Sequence, residues 1–97
     1  MLTSKQRATL RSLAQKIESI TQIGKNGITE SFLDGLNSAI EKRELVKITV
    51  LENSGEEVKV AGEEIARRLP AEFVCATGKK LVFYRRSMNE KVKHIEF

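Results

Sequence analysis

The residues with the clearest chemical potential form the loop Gly24-Lys25-Asn26-Gly27, which stands directly before a predicted helix. At such a position, free backbone N–H groups and the positive end of the helix dipole can bind an anion. Glycines remove the side chains that would block close approach of a sugar-phosphate backbone, and Lys25 adds a positive charge. The pattern therefore predicts an anion-binding loop, although the same residues also form ordinary strand-to-helix turns.

The other reactive side chains do not assemble into a catalytic or metal site. His94 has no cysteine or second histidine near it in the sequence, and Cys75 lies in the middle of a predicted strand, where an inert core thiol is expected. The pairs Glu56-Glu57 and Glu63-Glu64 could suggest magnesium, but on a helix they more simply form a solvated acidic face. We therefore expect a protein that is not an enzyme and that needs no cofactor or metal.

Charge is distributed unevenly along the 97 residues, which have a net charge of +4 and a pI near 9.4. Residues 51–66 hold five glutamates and one lysine, a net charge of −4. The remainder holds 16 basic and eight acidic residues, a net charge of +8. A molecule with one acidic face and an otherwise basic surface suits an oriented encounter with a polyanion.

The sequence predicts a cytoplasmic protein with a single domain. A chain of this length has room for one core only. It contains no apolar run approaching the roughly 20 residues that span a bilayer, and its start has no signal-type hydrophobic region. One cysteine excludes an internal disulfide and fits a reducing compartment.

Apolar periodicity and cap residues predict the element order αβαβαββ. Thr3 and Gln6 form a capping box for the first helix, and Thr29 is a good N-cap for the second. We expect helices over about 4–16, 30–43 and 56–69, with strands over 19–23, 45–51, 73–77 and 81–85.

This order predicts an α/β two-layer domain with one mixed four-stranded sheet. Strand–helix–strand units favour right-handed parallel connections, and the closing hairpin is expected to add an antiparallel edge. We place the domain at residues 1–86 and expect residues 87–97 to form a polar, frayed tail. Phe83 and Tyr84 must face opposite sides of the sheet, which leaves the exposure of Tyr84 open.

Three ordered motifs resemble a known family: Ile23 to Thr29, Arg43 to Ile48, and Ala76 to Arg85. Together with the element order they make the chain similar to the CRM domain (chloroplast RNA splicing and ribosome maturation) in its stand-alone YhbY-type form. The first motif of this chain, Ile23 to Thr29, contains the Gly-x-x-Gly spacing with which KH domains clamp a nucleic-acid backbone. The family often has a histidine before the Glu-Leu pair of the second motif, where this chain has Arg43; the exchange keeps a donor and adds charge.

The resemblance implies a fold like the C-terminal domain of translation initiation factor three. It also implies binding to structured ribosomal RNA and association with precursors of the large ribosomal subunit, with ribosomal proteins as further partners. On this basis we expect a monomeric, non-catalytic assembly factor. The alternative is a protein-interaction module that docks through its acidic third helix and touches RNA only incidentally.

The resemblance also implies an RNA surface. Arg85 could form a bidentate fork to phosphate, and Lys25 acts as a mobile point charge. Tyr84 could stack on a base if it is exposed. For the outlying cations, a solvated surface charge is the competing interpretation. The complete candidate set is Gly24, Lys25, Asn26, Gly27, Lys47 and Arg85, supported by Arg7, Arg11, Lys42, Arg43, Lys79, Lys80 and Tyr84.

Overall fold

The computed structural model describes residues 2–97, and its helices and strands follow the predicted αβαβαββ order. A short 3-10 turn at Glu52–Ser54 precedes the third helix. The elements are α1 (Ser4–Ala14), β1 (Thr21–Ile23), α2 (Glu30–Arg43), β2 (Leu45–Val50), α3 (Val58–Arg68), β3 (Glu72–Thr77) and β4 (Lys80–Tyr84).

Both predicted helix caps are present. The Thr3 hydroxyl accepts from Gln6 N at 3.1 Å, and Thr3 N donates to the Gln6 side chain at 3.0 Å, which completes the capping box. Thr29 accepts from Phe32 N at 3.0 Å and so begins α2 directly after the Gly24–Gly27 loop. Gly62 lies inside α3, where a larger residue would not fit. A Cβ at this position would stand 2.5 Å from the ring of Phe73.

The sheet is mixed and four-stranded, as predicted, with the order β1-β2-β4-β3. β1 runs parallel to β2, and β4 is antiparallel to both β2 and β3. The prediction that the closing hairpin adds an antiparallel edge is confirmed, with β3 as the edge strand. Of the two hairpin strands, β4 takes the interior position. The reason is the continuous apolar run Leu81–Tyr84, all of it buried, which is typical of a strand covered on both faces.

Helices cover both faces of this sheet. α2 and α3 pack on the face that carries Ile48 and Phe83. α1 packs on the opposite face, against Val82 and Tyr84. The predicted α/β class is confirmed, while the two-layer description is corrected: α1 adds a third, partial layer because β2 and β4 present apolar side chains to both sides.

The C-terminal segment is folded back on the domain, so the prediction of a frayed tail is wrong. Glu44 is fully buried between α2 and β2, and its carboxylate accepts from Ser87 N and Ile95 N at 2.7 Å each. The Nδ1 atom of His94 lies 2.5 Å from the same carboxylate. A buried carboxylate needs such donors, and the polar tail supplies them.

Candidate nucleic-acid interface

The Gly24–Gly27 loop is a tight turn at the carboxyl end of β1. Gly27 N donates to Gly24 O at 2.9 Å, and Gly27 adopts φ +68, a conformation that favours glycine. Lys25 and Asn26 are exposed at the tip of the turn. Leu51 N donates to Ile23 O at 3.0 Å and so fixes the base of the loop to the end of β2.

Acidic residues lie closer to this loop than the sequence suggested. The Glu56 carboxylate stands 4.0 Å from the position that a Cβ on Gly27 would take. Glu52, in the 3-10 turn, forms an ion pair with Lys79. Glu56 therefore lies beside the loop, while the Lys79 ammonium is paired with Glu52.

A groove lined by basic residues, called here the basic groove, runs between α1 and the exposed parts of β2, β3 and β4. It has a volume of about 510 Å³, and Arg11, Lys47 and Lys80 stand along it. Among the described residues that line the groove, none is acidic. The other lining residues are small or uncharged: Ala8, Ser12, Ala14, Gln15, Cys75, Thr77 and Val82.

The basic groove and the Gly24–Gly27 loop belong to one region of the surface. Gln22 pairs with Thr49, and Thr49 pairs with Lys80, so these three residues form a row across the sheet. Lys25 follows Gln22 by three residues, which at full extension spans only about 11 Å. Lys47 and Lys80 thus share the groove, and Lys25 lies beyond the β1 end of this row.

Two arginines of the predicted surface are engaged within the protein. Arg85 donates to Pro70 O at 3.1 Å and Leu69 O at 3.4 Å, and its other terminal nitrogen lies 3.7 Å from Glu41. The guanidinium thus ties the segment after α3 to α2, and its bidentate contact with phosphate stays a prediction.

Arg7 is likewise committed to the fold. Its guanidinium donates to Phe73 O at 2.5 Å and Val74 O at 2.9 Å, where a bulge interrupts the pairing of β3 with β4. A bulge leaves carbonyls without ladder partners, and Arg7 satisfies two of them. Arg7 thus stabilises the bulge through Nη1, and its contact with RNA stays a prediction.

Tyr84 is unavailable for base stacking. Its exposed fraction is 8%, and the ring of Phe97 packs edge-on against its ring, with 5.5 Å between the ring centroids. Burial, together with the charge of Glu44, raises the pKa of the Tyr84 hydroxyl. Because α1 and the C-terminal segment cover this face of β4, Tyr84 is a core residue, as Phe83 is on the opposite face. The exposure of Tyr84 that stacking requires is therefore not met.

Lys42 and Arg43 are exposed, but α2 carries them away from the loop. The helix begins at Glu30, next to the loop, and its 14 residues extend about 21 Å. Both cations lie in its last turn, where they complement the negative end of the dipole. They are not part of the region formed by the loop and the basic groove.

No arrangement for metal chemistry is present within residues 2–97: no three histidine, cysteine, aspartate or glutamate side chains come close enough to hold an ion. His94 contacts the Glu44 carboxylate through Nδ1. Cys75 is partly exposed in the basic groove and also packs against the core on the α1 side of the sheet. None of the helices in the described part of the chain has the length and apolar character needed to span a bilayer.

The fold and the site together define an α/β domain that carries a glycine-flanked lysine turn and a basic groove. The model of the CRS1/YhbY (CRM) domain family matches residues 2–85. The chain belongs to this family, as the three sequence motifs predicted.

Named relatives cover almost the whole chain. The "Probable RNA-binding protein YqeI" of Bacillus subtilis (strain 168) is 34% identical over 91 residues, which is 94% of this chain and 95% of that protein. The "RNA-binding protein" of Haemophilus influenzae is 32% identical over 92 residues, covering 95% and 93% of the two chains. The solution structure of SAV1595 from Staphylococcus aureus, 38% identical, superposes with a TM-score of 0.79 and covers 98% of this chain and 100% of that one.

Proposed function

We propose that this protein is a monomeric, non-catalytic RNA-binding factor that binds structured ribosomal RNA in the cytoplasm and assists assembly of the large subunit. The observation that carries the proposal is the exposed Lys25-Asn26 tip beside the basic groove. The RNA-binding names of the relatives in Bacillus and Haemophilus support it. The large-subunit assignment rests on the family resemblance.

Recognition in this proposal works through the RNA backbone. Backbone N–H groups of the turn and the Lys25 ammonium bind phosphate oxygens, and the glycines allow the strand to approach closely. Glu56 repels phosphate on one side of the loop, so the RNA arrives from the side of the basic groove. The acidic segment thereby orients the encounter.

The proposal predicts strong dependence of affinity on salt. If Lys25, Arg11, Lys47 and Lys80 neutralise about four phosphates, affinity falls about a hundredfold between about 50 and about 200 mM monovalent salt. Fluorescence anisotropy with a folded large-subunit RNA fragment measures this, beside a small-subunit fragment of equal length. Affinity that is insensitive to salt would contradict backbone recognition, and equal affinity for both fragments would contradict the large-subunit assignment.

One observation favours a second candidate, a protein-docking module. Val60 on the outer side of α3 is 55% exposed, and the exposed acids Glu57 and Glu63 flank it. Such a surface suits a basic ribosomal or assembly protein. Weak binding to both RNA fragments, together with salt-tolerant binding to a ribosomal protein, would favour this candidate.

A further inference from the structure

We propose that the basic groove takes an unpaired nucleotide of the bound RNA, a bulged or looped-out base with its phosphate. This inference rests on the proposed RNA-binding function and deepens it, since it names a second contact and the structural class of RNA that fills it. The Gly24–Gly27 loop then binds the adjoining backbone.

The lining of the groove combines a cationic rim with an uncharged floor. Lys47 and Lys80 stand where phosphate oxygens can be bound, and Arg11 faces them from α1. Val82 and Cys75 belong to the sheet below them. Such a site can seat a base on its floor while its rim binds the phosphate, and a guanidinium plane such as that of Arg11 can stack on the base.

The lysines of the groove are held in place by the protein. Lys80 Nζ donates to the Thr49 hydroxyl at 2.7 Å, which donates to the Ser19 hydroxyl at 2.8 Å. Ser19 in turn donates to Thr21 O at 2.9 Å, and Lys47 Nζ donates to Ile17 O at 3.3 Å. An ammonium has three N–H groups, so both lysines can bind phosphate while keeping these bonds. Prepositioned cations reduce the entropy lost on binding.

The shape of the groove favours an unpaired nucleotide over a duplex. Its volume of about 510 Å³ lies in the range typical of pockets that enclose small molecules. In an A-form duplex the bases are stacked inside, and only phosphates and groove edges are exposed. A base can therefore enter the recess between α1 and the sheet only where it is already splayed out of the helix.

Cys75 provides a direct reporter, because it is the one cysteine of the chain and lines the groove. We would measure the rate of its alkylation by iodoacetamide, alone and with saturating hairpin RNA that carries a single bulged nucleotide. We expect the RNA to slow the reaction at least about fivefold, by covering the thiol. An unchanged rate at saturation would overturn the inference, while leaving the proposed function intact.

A charge variant separates the groove from the loop. We expect Lys80→Gln to weaken binding of the bulged hairpin about tenfold and binding of the same hairpin without the bulge less than about twofold. Lys59→Gln, on α3 and outside the groove, is the matched control and should change neither. Equal losses on both RNAs would overturn the inference of an unpaired nucleotide. If the wild-type protein binds neither RNA, the proposed function itself fails.

Discussion

Replacing Glu44 with alanine is expected to lower the free energy of unfolding by about 3 kcal/mol or more, the largest single effect on stability that we anticipate. The substitution leaves Ser87 N, Ile95 N and His94 without their acceptor and detaches the C-terminal segment from the domain. Urea denaturation measures the loss. Glu63→Ala, at an exposed position of α3, is the control and should change stability by less than about 0.5 kcal/mol.

The same carboxylate predicts a pH dependence of stability. Burial raises the pKa of Glu44, but hydrogen bonds from His94, Ser87 N and Ile95 N outweigh burial, so the pKa lies below the ordinary value of 4.5. A lowered pKa stabilises the folded state above pH 4.5, and this contribution is lost as the pH falls through the folded-state value. The difference in free energy of unfolding between wild type and Glu44→Ala should therefore become smaller in acid. A gap that stays constant or widens would contradict this role.

Charge reversal at the loop, Lys25→Glu, is expected to lower RNA affinity about tenfold or more. The change removes a phosphate contact and adds a second carboxylate to the region of the loop, where Glu56 already approaches Gly27. Because Lys25 is exposed at the tip of a turn, the stability of the fold should change little.

The matched control for this variant is Lys59→Glu, which makes the same charge change on α3. If RNA affinity depends only on the net charge of the protein, the two variants lose the same amount of affinity, and the loop has no special role. If Lys25→Glu keeps wild-type affinity, the loop does not touch the RNA. The expected result is a large loss for Lys25→Glu and a small one for Lys59→Glu.

Local chemistry made much of this fold predictable. The caps at Thr3 and Thr29 depend on side chains within three residues of the backbone they satisfy. The alternating residues of β2 and the glycine turns before α2 and β4 also act over short distances. For the same reason the Gly24–Gly27 loop could be found from its spacing and its position before a helix.

The features that were missed depend on contacts between distant parts of the chain. The apolar run Leu81–Tyr84 could have indicated a central strand, but the face that α1 covers depends on tertiary packing. Arg7 reaches carbonyls 66 and 67 residues away, and Glu44 binds the tail more than 40 residues on. A charged residue in a sequence pattern does not reveal such partners, so the sequence predicts a phosphate contact for Arg85 and gives no sign of its hydrogen bonds to Leu69 O and Pro70 O. The sequence does not predict the basic groove, because one of its walls is formed by α1 and the other by the sheet, and their packing depends on tertiary structure.

The most direct test of the account is a nuclear magnetic resonance titration of the ¹⁵N-labelled protein with a bulged large-subunit RNA hairpin. We expect the largest amide shifts at Lys25 and Asn26 and along the basic groove at Lys47, Cys75 and Lys80, with the outer side of α3 unchanged. Shifts concentrated on α3 around Val60, with the loop and the groove unmoved, would contradict the account and favour protein docking instead.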